Sequence, residues 1–115
     1  MSRAKHIPAG NRRIVQERCG GSCEGCGARP VKDIHHRKYK SRGGGHEVSN
    51  LIGLCGGFGG LSGGNHSGCH GVAHSAEGHE LGWSVNSWAD PATVPILHAV
   101  HGLVLLDDHG GTTPA

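Results

Sequence analysis

The chain has 115 residues, 35% of them hydrophobic and 3% aromatic, and 22 are Gly. A single domain of this size buries a thin core, but a formal net charge of only +2 excludes self-repulsion as a source of disorder. The 5 Cys and 11 His supply the alternative, because the free energy of binding a metal becomes free energy of folding.

In chain order, residues 1–11 read as a flexible basic arm containing Pro8 and Gly10. Arg12 to Arg18 predicts a short helix, with Ile14, Val15 and Arg18 at helical spacing and Gly20-Gly21 ending it. Cys23 to Gly27 is a tight turn of the zinc-knuckle type. Val31 to His36 predicts a strand with Val31, Asp33 and His35 on one face and Lys32, Ile34 and His36 on the other. A basic, glycine-rich loop over 37–47 leads to a second strand over Val48–Cys55. Residues 56–68 form a low-complexity, glycine-rich insertion that is expected to be mobile. Cys69 to Ser75 predicts two turns of helix. Strands are expected over Gly82–Ser87, Thr93–Leu97 and Leu103–Leu106, the last two as a hairpin. The expected organisation is one domain over 12–115, with a core over 19–75 and a C-terminal extension over 82–110.

Every Lys and Arg lies between Arg3 and Arg42, a stretch of net charge +8, whereas Glu47 onward carries −6. A basic half suits a polyanion, because each cation that meets a phosphate releases counterions. A merely solvated basic surface is the alternative. The longest apolar stretch, Val94–Leu106, is interrupted by Pro95, His98, His101 and Gly102, so no membrane span is expected. The first residues lack the apolar segment of a signal peptide. These features predict a cytoplasmic protein, in which cysteines bind metal or do chemistry rather than form disulfides.

Two sets of residues have metal-ligand spacing. Cys23 and Cys26 form a CxxC pair whose bite suits one tetrahedral Zn²⁺, and Cys55 and Cys69 could complete a closed, structural four-cysteine site. For them to meet, the insertion must loop out, at an entropic cost that grows slowly with length. A redox pair or free buried thiols are the alternatives, and Cys19 is left over as a small buried residue. The second set is His35-His36, Asn50 and His70-x3-His74. Positions i and i+4 share a helix face, so His70 and His74 could chelate one ion, with His35 as a third ligand and His36 left as a base. His66 stands four residues before His70, so spacing alone does not choose the ligands.

With these residues in place, the sequence resembles the HNH endonucleases of the His-Me finger (ββα-metal) superfamily. The resemblance rests on CEGCG at 23–27, DIHHR at 33–37, GGGHEVSNLIGLC at 43–55 and CHGVAH at 69–74. The tail, with GWSV at 82–85, DPATVP at 90–95 and LVLLDDHG at 103–110, is similar to that of phage-encoded, zinc-binding HNH proteins found beside packaging genes. The implied fold is a small α+β one, a ββα-metal core stapled by a four-cysteine zinc site with short extra strands at the C-terminus. The implied activity is metal-dependent hydrolysis of DNA phosphodiester bonds, as a nick or a double-strand break, with terminase or other packaging proteins as further partners.

Position by position, the resemblance implies that His36 is the general base and Asn50 the residue that holds its loop. It makes His35, His70 and His74 the ligands of a catalytic divalent metal. It makes Cys23, Cys26, Cys55 and Cys69 the ligands of a structural Zn²⁺. Neutral imidazole suits proton abstraction from water, and a divalent ion on the opposite side of the phosphate offsets the developing charge. Products would be 3′-hydroxyl and 5′-phosphate ends. Three imidazoles favour Ni²⁺, Co²⁺, Zn²⁺ or Mn²⁺ over the harder Mg²⁺, and Mg²⁺ gains ground if His74 is not a ligand. Arg37, Lys38, Lys40 and Arg42 are expected to position the DNA backbone, with Arg12, Arg13 and Arg18 extending the contact. Tyr39 could stack on a base or pack, Trp83 and Trp88 are expected to cover the core, and His6, His46, His79, His98, His101 and His109 receive no role. The rival readings are a non-catalytic zinc module that binds DNA or a packaging protein, and a metal-storage or redox protein.

Overall fold

The computed structural model describes residues 6–58 and 66–115. Helix α1 spans Ala9–Cys19. It starts three residues ahead of the expected helix and takes in the end of the presumed arm. Pro8, with φ −55°, precedes the first turn, and its carbonyl accepts from Arg12 N–H at 3.0 Å. The Asn11 side chain ties this turn to the His46 carbonyl at 2.7 Å. Gly20 ends the helix at φ +64°, a conformation that costs glycine nothing. Residues 1–5 of the expected arm lie outside the described residues.

Strands β1 (Asp33–His36) and β2 (Leu51–Leu54) pair antiparallel, with Asp33 opposite Leu54 and His36 opposite Leu51. β2 begins later than expected because Val48–Asn50 close a 3₁₀ turn, in which Asn50 N–H donates to Glu47 O. All four residues of β2 are buried. Ile52 and Leu54 join Cys23, Cys55, Ala73, Trp83, Ile96, Val104 and Leu106 in the larger core cluster. Leu51 packs with Val15 of α1 and Val48. The single ββ unit therefore has an apolar cluster on each side, one covered by α1 and the other by the C-terminal extension.

The ends of the glycine-rich insertion are structured: β3 (Gly57–Phe58) pairs with β4 (His66–Ser67). The rest of that insertion, expected to be mobile, lies outside the described residues. α2 (Gly68–Ala73) follows, completing the ββα order, and α3 (Ala76–Glu80) adds a turn that the sequence reading did not foresee.

The strand expected over 82–87 does not form. Its first donors cap α3 instead: Trp83 and Ser84 both donate to Gly78 O, and Gly82 donates to His79 O. The expected hairpin is present as β5 (Ile96–His98) and β6 (Gly102–Leu106), with β7 (Thr112–Pro114) added at the edge. Pro91–Thr93 form a 3₁₀ turn rather than an approach to the strand, capped by Asp90 accepting from Ala92 N–H at 3.0 Å. The architecture is thus a small α+β fold with a ββα arrangement, a clustered four-cysteine site and extra C-terminal strands. Among the described residues, no helix is long and apolar enough to cross a membrane.

Candidate active site and metal centres

The knuckle between α1 and β1 brings Cys23 and Cys26 beside Cys55, at the end of β2, and Cys69, in the first turn of α2. The four sulfur atoms lie within 4.8 Å of one another, with Cys26 Sγ and Cys55 Sγ at 3.8 Å. Backbone amides point at the sulfurs. Gly25, Cys26 and Cys55 N–H donate to Cys23 Sγ at 3.2–3.4 Å, Ala28 N–H to Cys26 Sγ and Cys69 N–H to Cys55 Sγ, both at 3.5 Å. Such amides favour thiolate over thiol. The Ala28 amide is the main cause that lowers Cys26 to about 7, whereas burial raises Cys55 and Cys69. Four converging sulfurs with amide support fit a structural Zn²⁺. Trp83 roofs the cluster, and a Cβ on Gly25 would come 2.8 Å from its ring and 3.1 Å from Cys69 Sγ. Cys19 stands apart, buried, its thiol donating to Gln16 O.

Immediately after Cys69, α2 presents His70, and His74 follows at its C-terminal end. With His35 of β1 they form the second cluster, again with ligand atoms within 4.8 Å of one another. His70 Nε2 and His74 Nε2 are 3.3 Å apart, and the His35 ring centroid lies 5.1 Å from that of His70 and 4.9 Å from that of His74. Burial and then the neighbouring His70 and His74 push His35 down to about 3, so it stays neutral, the form that binds a metal. The donor set fits a borderline divalent cation.

Three groups flank the cluster, of which Asp33 and Ser84 were given no role by the sequence and Tyr39 was expected to stack on a base or pack. Asp33 Oδ2 sits 3.6 Å from His70 Nδ1, the side of the ring away from His74. Ser84 Oγ lies 3.2 Å from His35 Nε2 while its hydroxyl donates to the Ala73 carbonyl. Tyr39 stacks on the His74 ring at 5.2 Å. A hydroxyl partner of this kind helps to orient a ligating imidazole, and the Asp33 carboxylate lies just beyond hydrogen-bond reach of His70.

His36 reaches the same place from the other face of β1. One cleft of about 480 Å³ is lined by Ile34, His35, His36, Tyr39, Lys40, Ser41, His70 and His74. Asn50, buried, spans the loop that follows His36. Its Oδ1 accepts from Lys38 N–H at 2.7 Å, and its Nδ2 donates to Lys38 O and Gly45 O at 3.2 and 2.9 Å. Asn50 therefore touches the loop and does not line this cleft. His46, left without a role by the sequence reading, carries Nδ1 at 3.0 Å from His36 Nε2.

The basic residues divide sharply. Arg37, expected on the DNA, is fully buried. Its guanidinium donates to the carbonyls of Gly82, Ser49, Pro91 and Val94 at 2.8–2.9 Å, so it stitches the C-terminal extension to the ββ unit. Arg18, also expected on DNA, is buried against Glu24 in a two-point pair at 2.8 Å and donates to Leu51 O at 2.6 Å. Both guanidinium groups are buried inside the fold, out of reach of a phosphate at the surface. Glu24 also accepts from Gly53 N–H at 2.9 Å and from His98 Nε2 at 2.7 Å, which gives His98 the structural role that the sequence did not signal. Arg12, Arg13, Lys40 and Arg42 are exposed and Lys38 half-buried. Of the two tryptophans expected to cover the core, Trp83 does so, but Trp88 is 82% exposed.

The HNH endonuclease family model matches residues 23–56. That stretch takes in Cys23, Cys26 and Cys55, His35, His36 and Asn50, and stops before the α2 histidines. Searches of curated proteins and of solved structures gave no significant match. An HNH endonuclease domain of the His-Me finger kind is thus detected over residues 23–56, and the fold completes a four-cysteine cluster with Cys69 and a three-histidine cluster with His70 and His74.

Proposed function

We propose that this chain is a metal-dependent endonuclease that hydrolyses DNA phosphodiester bonds, with His36 as the base that activates water. The observation that carries the reading is the cleft in which His36 meets His35, His70 and His74. His35 and His36 are neighbours on one strand and point to opposite faces, so a phosphate seated at the strand edge would have one imidazole on each side. A divalent cation held by His35, His70 and His74 would supply positive charge to the phosphate and the departing 3′-oxygen.

His36 takes the proton of the attacking water, which leaves the nucleophile in line with the leaving oxygen. Asn50 keeps the 37–45 loop, and hence His36, in register through its bonds to Lys38 and Gly45. Lys40 lines the cleft, and with Lys38, Arg42, Arg12 and Arg13 it positions the DNA backbone. Cys23, Cys26, Cys55 and Cys69 hold the structural zinc that fixes the start of α2. The C-terminal extension belongs to the same domain, because Ile96, Val104 and Leu106 share a core cluster with Ile52 and Leu54. A place in phage DNA packaging, beside a terminase in the host cytoplasm, rests on the resemblance of the tail segments alone.

Supercoiled plasmid incubated with the protein and Mg²⁺, Mn²⁺, Ni²⁺ or Zn²⁺ tests the reading. Nicked or linear product is expected with at least one metal, and none with His36→Ala. Equal cleavage by both proteins would remove His36 as the base. No cleavage in any metal would favour a non-catalytic zinc module.

A further inference from the structure

We infer that His46 is a positioning residue for His36, accepting a hydrogen bond from His36 Nε2–H so that the lone pair of His36 resides on Nδ1. The inference rests on the reading of His36 as the base, and its geometry is independent of the metal clusters. His46 Nδ1 and His36 Nε2 are 3.0 Å apart, with ring centroids at 5.1 Å and planes inclined by 56°.

A 3.0 Å contact between two imidazole nitrogens requires one donor and one acceptor. If His46 were the donor, the lone pair of His36 would be spent on His46 and its other nitrogen would carry the proton, leaving no base. If His36 is the donor, Nδ1 is the basic nitrogen. A proton taken from water then goes to Nδ1, and the positive ring that results donates more strongly to His46. This is the logic of a base oriented by a third group.

His46 is itself held in place on both sides. Its own carbonyl accepts from the Asn11 side chain at 2.7 Å, and the preceding Gly45 carbonyl accepts from Asn50 at 2.9 Å. Helix α1 and the 3₁₀ turn that ends in Asn50 thus hold the backbone from which the His46 ring reaches His36. The glycines at 43–45 give the loop the turns that it needs to bring position 46 back beside position 36.

Two measurements on the zinc-loaded full chain test the inference. In ¹⁵N-histidine spectra above neutral pH, His36 is expected as the Nε2–H tautomer in wild type and as a tautomer mixture in His46→Ala. A His36 that carries its proton on Nδ1 in wild type would overturn the inference, whether or not the protein cleaves DNA. In plasmid cleavage, His46→Ala is expected to lose roughly 10- to 100-fold in kcat, with KM and metal content unchanged. His46→Asn, which places an amide oxygen near the position of Nδ1, is expected to recover much of the rate, and adding His46→Ala to His36→Ala is expected to cost nothing further. Wild-type rates in His46→Ala, with His36→Ala inactive, would overturn the inference and leave the nuclease reading standing. A wild type that cleaves nothing would overturn the nuclease reading, and the spectra would still decide the pairing.

Discussion

At the scale of single residues, the basic side chains show how far sequence reasoning reaches. Arg37 and Lys38 are adjacent and equally charged, yet Arg37 spends its guanidinium on four backbone carbonyls inside the protein. Its planar fork of donors suits that task better than an ammonium would. Nothing local separates it from its more exposed neighbour, because its acceptors lie 12 to 57 residues away in the chain. Glu24 carries the complementary lesson and a prediction. Buried between Arg18 and His98, it is raised by desolvation, but the hydrogen bonds from His98 and Arg18 win, and its pKa falls below the ordinary 4.5. A depressed carboxyl stabilises the fold above its unfolded pKa, and that contribution is lost as pH falls through the folded value. Denaturant unfolding at fixed zinc is therefore expected to show stability falling with acid below about pH 4.5. Glu24→Gln should lose about 3–5 kcal/mol at pH 7, because Arg18 is left buried without its anion, and should flatten the acid limb. An unchanged stability at pH 7 would contradict the network.

At the scale of elements, the parts with chemical spacing were legible and the parts defined by packing were not. The order of β1, β2 and α2 follows from the alternation of Asp33–His36, the apolar run Leu51–Leu54 and the helical spacing of His70 and His74. α3 was missed because it is only five residues long, carries Gly78 at its centre and has no apolar residue larger than Ala76, and the presumed strand at 82–87 was lost to the capping of that helix. Ser84 looked like lineage rather than chemistry, yet it touches His35; only the folded chain brings position 84 to position 35. Trp83 yields the element-scale prediction. It is 5% exposed over the cysteine cluster, whereas Trp88 is already 82% exposed. Removing zinc with a chelator, or making Cys26→Ser, should unfold the core and shift Trp83 emission to the red, while Trp88 contributes a constant background. Unaltered emission and circular dichroism after complete removal of zinc would show that the metal does not hold the fold.

At the scale of the whole molecule, the division of charge has been redistributed by folding. Two of the arginines expected on the outside, Arg18 and Arg37, are buried. The set proposed to face DNA is reduced to Lys38, Lys40, Arg42, Arg12 and Arg13. Lys40→Ala should weaken DNA binding uniformly across sequences and lower the slope of log K against log salt by about 1. Arg37→Met should leave that slope unchanged in whatever fraction remains folded. Equal slopes for wild type and Lys40→Ala would remove Lys40 from the interface. The C-terminal extension carries no Lys or Arg; it supplies core strands and, through Trp83 and Ser84, one contact to each cluster. The central claim is that one base and one three-histidine metal site act on the same phosphate, with the cysteine site serving the fold alone. Metal content counted beside plasmid cleavage, for wild type, His36→Ala and His70→Ala, tests it most directly. The account predicts two ions and cleavage for wild type, two ions without cleavage for His36→Ala, and one ion without cleavage for His70→Ala. Undiminished cleavage by either variant, or a single ion per chain in active wild type, would contradict it.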